Sequence, residues 1–143
     1  MQGYFIRSSK VTPSVYFNPK KELLDLRGKS SPENPLSFYG SLLLNMDKYV
    51  QNHAGNITVN LAFEYFNTSS SKCIFNLLRK LESFDQQGKR VIVNWYYEDV
   101  DDDMLEAGED FSSFFDYKFN FISVPEINSL GEESEEEPQL SAA

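Results

Sequence analysis

With 143 residues, 41% of them hydrophobic and 15% aromatic, the chain has enough apolar material for one domain with its own core. Its formal charge is -9, and five Glu in residues 131–143 supply more than half of it, so no basic stripe serves a nucleic-acid backbone or an anionic membrane. The longest aliphatic run, Leu42-Leu43-Leu44, is too short to span a bilayer, Cys73 has no partner for an internal disulfide, and the N-terminus lacks a secretory pattern; a cytoplasmic protein is expected.

Thr12 to Asn18 (TPSVYFN) and Glu22 to Gly28 (ELLDLRG) carry Val15/Phe17 and Leu24/Leu26 in alternation on either side of Asn18-Pro19, which predicts a hairpin. Ser30 to Pro35 (SSPENP) reads as a loop, with Asn34 capping a helix and Pro35 at its first position, where a missing N–H is harmless. Leu36, Tyr39, Leu43, Met46 and Val50 recur at spacings of three and four, predicting a helix to about Val50 with these five on its buried face. Asn52 to Asn56 ends it, Gly55 offering a left-handed conformation.

Ile57, Val59, Leu61, Phe63 and Tyr65 then alternate with Thr58, Asn60, Ala62, Glu64 and Phe66, a strand with one apolar and one mostly polar side. A parallel sheet enclosed by two helical layers is apolar on both sides, so the polar side predicts helices on one face only. Ile74, Leu77, Leu78 and Leu81 mark a second amphipathic helix to about Gln87, ended by Gly88. Arg90 to Tyr97 is a strand with Val91, Val93, Trp95 and Tyr97 on one side. Met104, Leu105, Ala107 and Phe111 give the inward stripe of a short helix within the acidic stretch, and Phe119, Phe121 and Val124 a closing strand that Pro125 stops. Residues 1–130 are expected to form the domain and 131–143 an acidic, disordered tail.

The most informative local feature is Tyr65 to Lys72 (YFNTSSSK), four successive hydroxyls where a strand gives way to a helix. Hydroxyl oxygens there serve as ordinary caps, or one of them serves as a phosphate acceptor, with Thr68 the foremost choice and Ser69, Ser70 and Ser71 beside it. His53, the only histidine, reads as a turn residue and Cys73 as core packing; a catalytic hydroxyl would need an adjacent base, and no nucleophile-elbow motif is present. Asp99, Asp101 and Asp103 imitate a calcium loop, but Met104 and Asp110 stand where Gly and Glu are required, so the stretch reads as a solvated acidic loop. Trp95, Tyr96 and Tyr97 are core residues or interface anchors, and Asn60 and Asn94 occupy the wetter strand face.

TPSVYFN, SPENP, YFNTSSSK and VNWYYED, in that order between about Thr12 and Val124, together resemble the SiaC-type regulatory phosphoproteins, relatives in fold of STAS domains and anti-sigma-factor antagonists. The resemblance implies a STAS-like α/β single domain, an open mixed sheet of four to five strands with helices mainly on one face. It implies a non-enzymatic switch phosphorylated at the position matched by Thr68, without cofactor or metal. The serine-glycine pattern of many anti-sigma antagonists is absent, since Asn67, Thr68 and Ser69 are followed by no glycine. Further implied are a Ser/Thr kinase that modifies Thr68, a PP2C-like phosphatase that resets it, and a GGDEF-type diguanylate cyclase bound and activated by the unphosphorylated form. The docking surface is then expected around Tyr65, Phe66, Asn67, Ser69, Ser70 and Ser71, with Glu33 and Asn34 from the SPENP loop. The alternatives are an anti-sigma-factor antagonist and, less favoured, a small serine hydrolase.

Overall fold

The expected hairpin forms, and a further strand precedes it. In the computed structural model, which describes residues 2–52 and 55–128, β1 (Tyr4–Ile6) pairs antiparallel with β2 (Ser14–Asn18), and β2 antiparallel with β3 (Leu23–Ser30). The turn between β2 and β3 is held by Asn18 Oδ1, which accepts the Lys21 N–H at 3.1 Å, and it carries Glu22 at a left-handed φ of 56°. His53 and the 131–143 tail lie outside the described residues.

From β3 onward the chain repeats one unit. α1 (Pro35–Asn52) leads to β4 (Ile57–Phe66), α2 (Thr68–Gln86) to β5 (Val91–Glu98), and α3 (Asp102–Ser112) to β6 (Lys118–Val124). β3 through β6 are all parallel, and the spatial order is β1-β2-β3-β4-β5-β6. Right-handed crossovers that always step the same way along a sheet place every helix on the same face. The sheet thus has six strands in place of the expected four to five. The extra strand, β1, is three residues long, too short for an alternation to register in the sequence.

The core fills the helical face. Val15, Phe17, Leu24, Leu26, Val59, Leu61, Val93 and Trp95 meet Tyr39, Met46, Ile74, Leu77, Leu81 and Met104 there. In α1 the inward stripe is Tyr39, Leu42, Met46 and Tyr49, whereas Leu36 is 75% exposed and Leu43 and Val50 are half-buried, which corrects the face expected from the spacing. Tyr39 and Met46 are compatible with either neighbour set. Tyr49 decides, because its ring meets Phe17 edge-on at 5.6 Å and its hydroxyl donates to the Asn56 carbonyl at 2.6 Å.

The opposite face is the polar one. Tyr16, Asp25, Asn60, Asn94 and Asn120 are successive cross-strand partners in a single row over five strands. Asn120 donates to Asn94 (2.9 Å), Asn94 to Asn60 (2.9 Å) and Asn60 to Asp25 (3.1 Å). Arg27 closes the row with two 2.8 Å bonds to the buried Asp25 carboxylate and lies 5.5 Å over the Tyr96 ring. Each amide satisfies the next, so this face is stable without a second helical layer.

Candidate functional site

The site sits at the carboxyl ends of β3 and β4, where α1 and α2 begin. Gly28 pairs with Phe63 but Lys29 pairs with Tyr65, so Glu64 is an extra residue in β4. A bulge of this kind reverses the alternation beyond it. Tyr65, expected on the apolar side with Phe63, is therefore 53% exposed, and Phe66 turns inward instead. Its ring lies 5.7 Å from Phe63, 6.3 Å from Trp95 and 6.1 Å from Phe111.

Of the four hydroxyls that follow, Ser70 is the one tied into the structure. Asn67 is the N-cap of α2: its backbone is extended and its Oδ1 accepts the Ser70 N–H at 2.8 Å. Its own N–H donates to the Ser30 carbonyl at 3.1 Å, tying the end of β3 to the start of α2. Ser70 is fully buried and accepts a 2.8 Å hydrogen bond from Ser30 Oγ, which also bonds the Tyr39 hydroxyl at 2.6 Å. Burial raises the Tyr39 pKa, partly offset by the bond to Ser30, so this hydroxyl group of three stays protonated and welds β3, α1 and α2 together. Ser70 is thereby removed from the expected contact surface: no partner or kinase reaches a side chain with no exposed area. Thr68 and Ser69 are exposed and Ser71 half-buried, and among the described residues none of their hydroxyls makes a hydrogen bond.

Two hollows flank α2 beside these hydroxyls. One, of about 650 Å³, lies between α2 and α3 and is walled by Phe66, Phe75, Ala107, Phe111 and Phe114, with Ser71, Lys72, Asn76 and Asp110 at its margin. Phe75 packs on Phe114 edge-on at 5.3 Å, yet Phe114 remains 65% exposed. The other, of about 340 Å³, brings Pro35 and Leu36 at the start of α1 against Ser69, Lys72, Cys73 and Asn76. Asn34 is exposed and caps α1, accepting the Ser37 N–H at 3.1 Å, and Glu33 is exposed beside it. Pro35, the last residue of the SPENP loop, and Ser69 of the hydroxyl cluster thus line one hollow.

The wall of the larger hollow depends on how closely α3 approaches the sheet. Trp95 donates its indole N–H to the Met104 carbonyl at 3.0 Å, and a side chain at Gly108 would meet the indole at 2.5 Å. Sequence reading did not single out Lys72, Phe75 or Phe114 as site residues. Their only signal is position: Lys72 is four and Phe75 seven residues beyond Thr68 on α2, and Phe114 is the fourth residue of the FSSFF run that ends α3.

The remaining candidates are dispersed. Asp101 caps α3 by accepting the Met104 N–H at 3.0 Å, and Asp99 accepts the Ser123 hydroxyl. Among the described residues no group of three or more His, Cys, Asp or Glu is placed to hold a metal. Cys73 is buried, and that burial pushes its thiol pKa up, away from a reactive thiolate. Asn60 and Asn94 belong to the far-face row, Trp95 to the core, and Tyr96 lies under Arg27.

A family profile described as SiaC family regulatory phosphoprotein matches residues 6–124. The chain belongs to this family. An uncharacterized protein of Pseudomonas aeruginosa (strain UCBPP-PA14) is 25% identical over 119 residues, 83% of this chain and 94% of the relative. SiaC of Pseudomonas aeruginosa superposes with a TM-score of 0.80 at 25% identity, over 87% of this chain and 100% of that one. A second SiaC structure from that organism, solved in complex with the diguanylate cyclase SiaD of which it is the activator, gives a TM-score of 0.81 at 24% identity, over 85% and 99% of the two chains. The common architecture is the STAS-like one that the sequence resemblance implied.

Proposed function

We propose that this protein is a non-enzymatic phospho-switch that, while Thr68 is unmodified, binds and activates a GGDEF-type diguanylate cyclase. The observation that carries the reading is a division of labour in one turn: Asn67 performs the capping, so the exposed Thr68 hydroxyl has no structural duty. Family membership and the likeness to a cyclase activator support the choice of partner. The docking surface comprises Tyr65, Phe66, Asn67, Thr68, Ser69 and Ser71, flanked by Glu33 and Asn34 and continued by the Phe75–Phe114 wall. Tyr65 and Phe114 supply exposed aromatic area for a partner to cover.

A Ser/Thr kinase transfers the γ-phosphoryl of ATP to Thr68 Oγ1, the hydroxyl proton leaving with formation of ADP. The product carries about 1.5 to 2 negative charges and three acceptor oxygens at neutral pH. The end of β4 that leads into Thr68 lines a hollow, Glu64, Tyr65 and Phe66 facing Asp101 and Asp103, so the modification adds to an existing negative field and places a hydrated group where apolar contact is required. A PP2C-like phosphatase hydrolyses the ester and restores the hydroxyl. These reactions belong to the cytoplasm, and no helix among the described residues is long and apolar enough to cross a membrane.

The test is phosphosite mapping by mass spectrometry after incubation with the kinase and ATP, with cyclase output measured before and after. Phosphate on Thr68 and stimulation of cyclic-di-GMP synthesis by the unmodified form alone are expected. Phosphate confined to Ser69 or Ser71 moves the switch residue, and capture of an anti-sigma complex without effect on a cyclase replaces the proposed partner.

A further inference from the structure

Lys72 stands on the ridge between the two hollows and lines both of them. It is exposed, and among the described residues it makes no ion pair; Lys80, by contrast, is held by Asp47 at 3.1 Å. Its position relative to Thr68 is fixed by the helix. Residues four apart share a face, with Cβ atoms about 5–6 Å apart. Side chains on a helix lean toward its N-terminus, so a long side chain at position 72 covers the turn that holds position 68.

The charges nearby are mostly negative. Glu64, Asp101 and Asp103 line the hollow on the β4–α3 side, Asp110 shares the larger hollow with Lys72, and Glu33 lies in the exposed loop before α1. An anion on Thr68 is repelled by each of these; among the cations, Lys29 is exposed across from Tyr65 on β3 and Arg79 lies three turns along α2, whereas Lys72 is one turn from Thr68 on its own helix. Building on the phospho-switch reading, we propose that Lys72 is the positioning residue for the modified state: once Thr68 is phosphorylated its ammonium pairs with the phosphate and leaves the rim of the aromatic hollow. The modification then alters two features of the docking surface together. It adds an anion at Thr68 and removes the free cation that an unmodified partner meets at Lys72.

The pair is testable without the kinase, in full-length protein carrying phosphothreonine installed genetically at position 68. The second ionisation of the phosphate is followed by phosphorus NMR, and the Lys72 ammonium by nitrogen NMR. Relative to a Lys72→Gln form, the wild-type phosphate should ionise about 0.3 pH unit lower at low salt, a value set by typical helical ion pairs. The Lys72 resonance should move with the same midpoint, Lys72→Arg should restore the shift, and added salt should reduce it. Equal ionisation in wild type and Lys72→Gln, or a Lys72 resonance indifferent to the phosphate, overturns the pairing. Because the phosphate is placed by design, either result stands apart from the mass-spectrometric outcome that decides whether a kinase selects Thr68.

Discussion

Asn67 and Thr68 are adjacent, yet only the first carries structural weight. Asn67→Ala removes the cap that receives the Ser70 N–H and should lower stability by about 1 kcal/mol in urea denaturation. Thr68→Ala should leave the unfolding free energy within about 0.5 kcal/mol, because its side chain makes no bond among the described residues, while abolishing phosphate incorporation and sparing cyclase stimulation. Loss of stimulation in a folded Thr68→Ala protein would instead make the hydroxyl a contact. Ser70→Ala belongs with the first group: it strips a partner from the buried Ser30–Tyr39 pair and should cost about 1–2 kcal/mol. The sequence located the cluster but not this division. Which serine is buried depends on Ser30 and Tyr39, which approach only when β3 and α1 are in place.

At the scale of elements, helices and strands were legible wherever a period persisted, as in α2, whose Ile74, Leu77, Leu78 and Leu81 all reach the core. What escaped was irregular. One inserted residue, Glu64, interrupts the alternation of β4 and sends Phe66 to the helical side, and no local propensity announces a bulge. The close approach of α3 was equally hidden, since Gly108 in a helix looks like a weakness until Trp95 lies beneath it. Gly108→Ala should therefore cost about 1–3 kcal/mol despite its better helix propensity, and the Trp95 emission should shift as α3 is pushed outward. Unchanged stability would mean that α3 is not seated on the indole. Phe114→Ser tests the other wall: an exposed ring makes little difference to folding, so the unfolding free energy in urea should hold within about 0.5 kcal/mol while cyclase activation weakens.

Across the whole molecule, buried phenols set the alkaline limit. Tyr4, Tyr39, Tyr49 and Tyr117 all have pKa values raised by burial, that of Tyr49 to about 12, with the Glu22 charge adding to it. An unfolded chain releases phenolic protons near pH 10, whereas the folded chain retains them. Their contribution is thus complete below about pH 10 and, for Tyr49, is lost as the pH rises toward about 12. Urea midpoints should be insensitive to these groups near neutrality and fall above about pH 10, less steeply in Tyr49→Phe. A midpoint that stays level to pH 11 contradicts the assignment.

Strand order that follows chain order has a kinetic corollary. As synthesis proceeds, each new βα unit can add at the growing margin of the sheet, and no late-arriving strand must wedge between two already joined. Each addition closes only the crossover that it completes, helix included, so no strand waits for a partner from the far end of the chain, which limits the time during which raw edges invite aggregation.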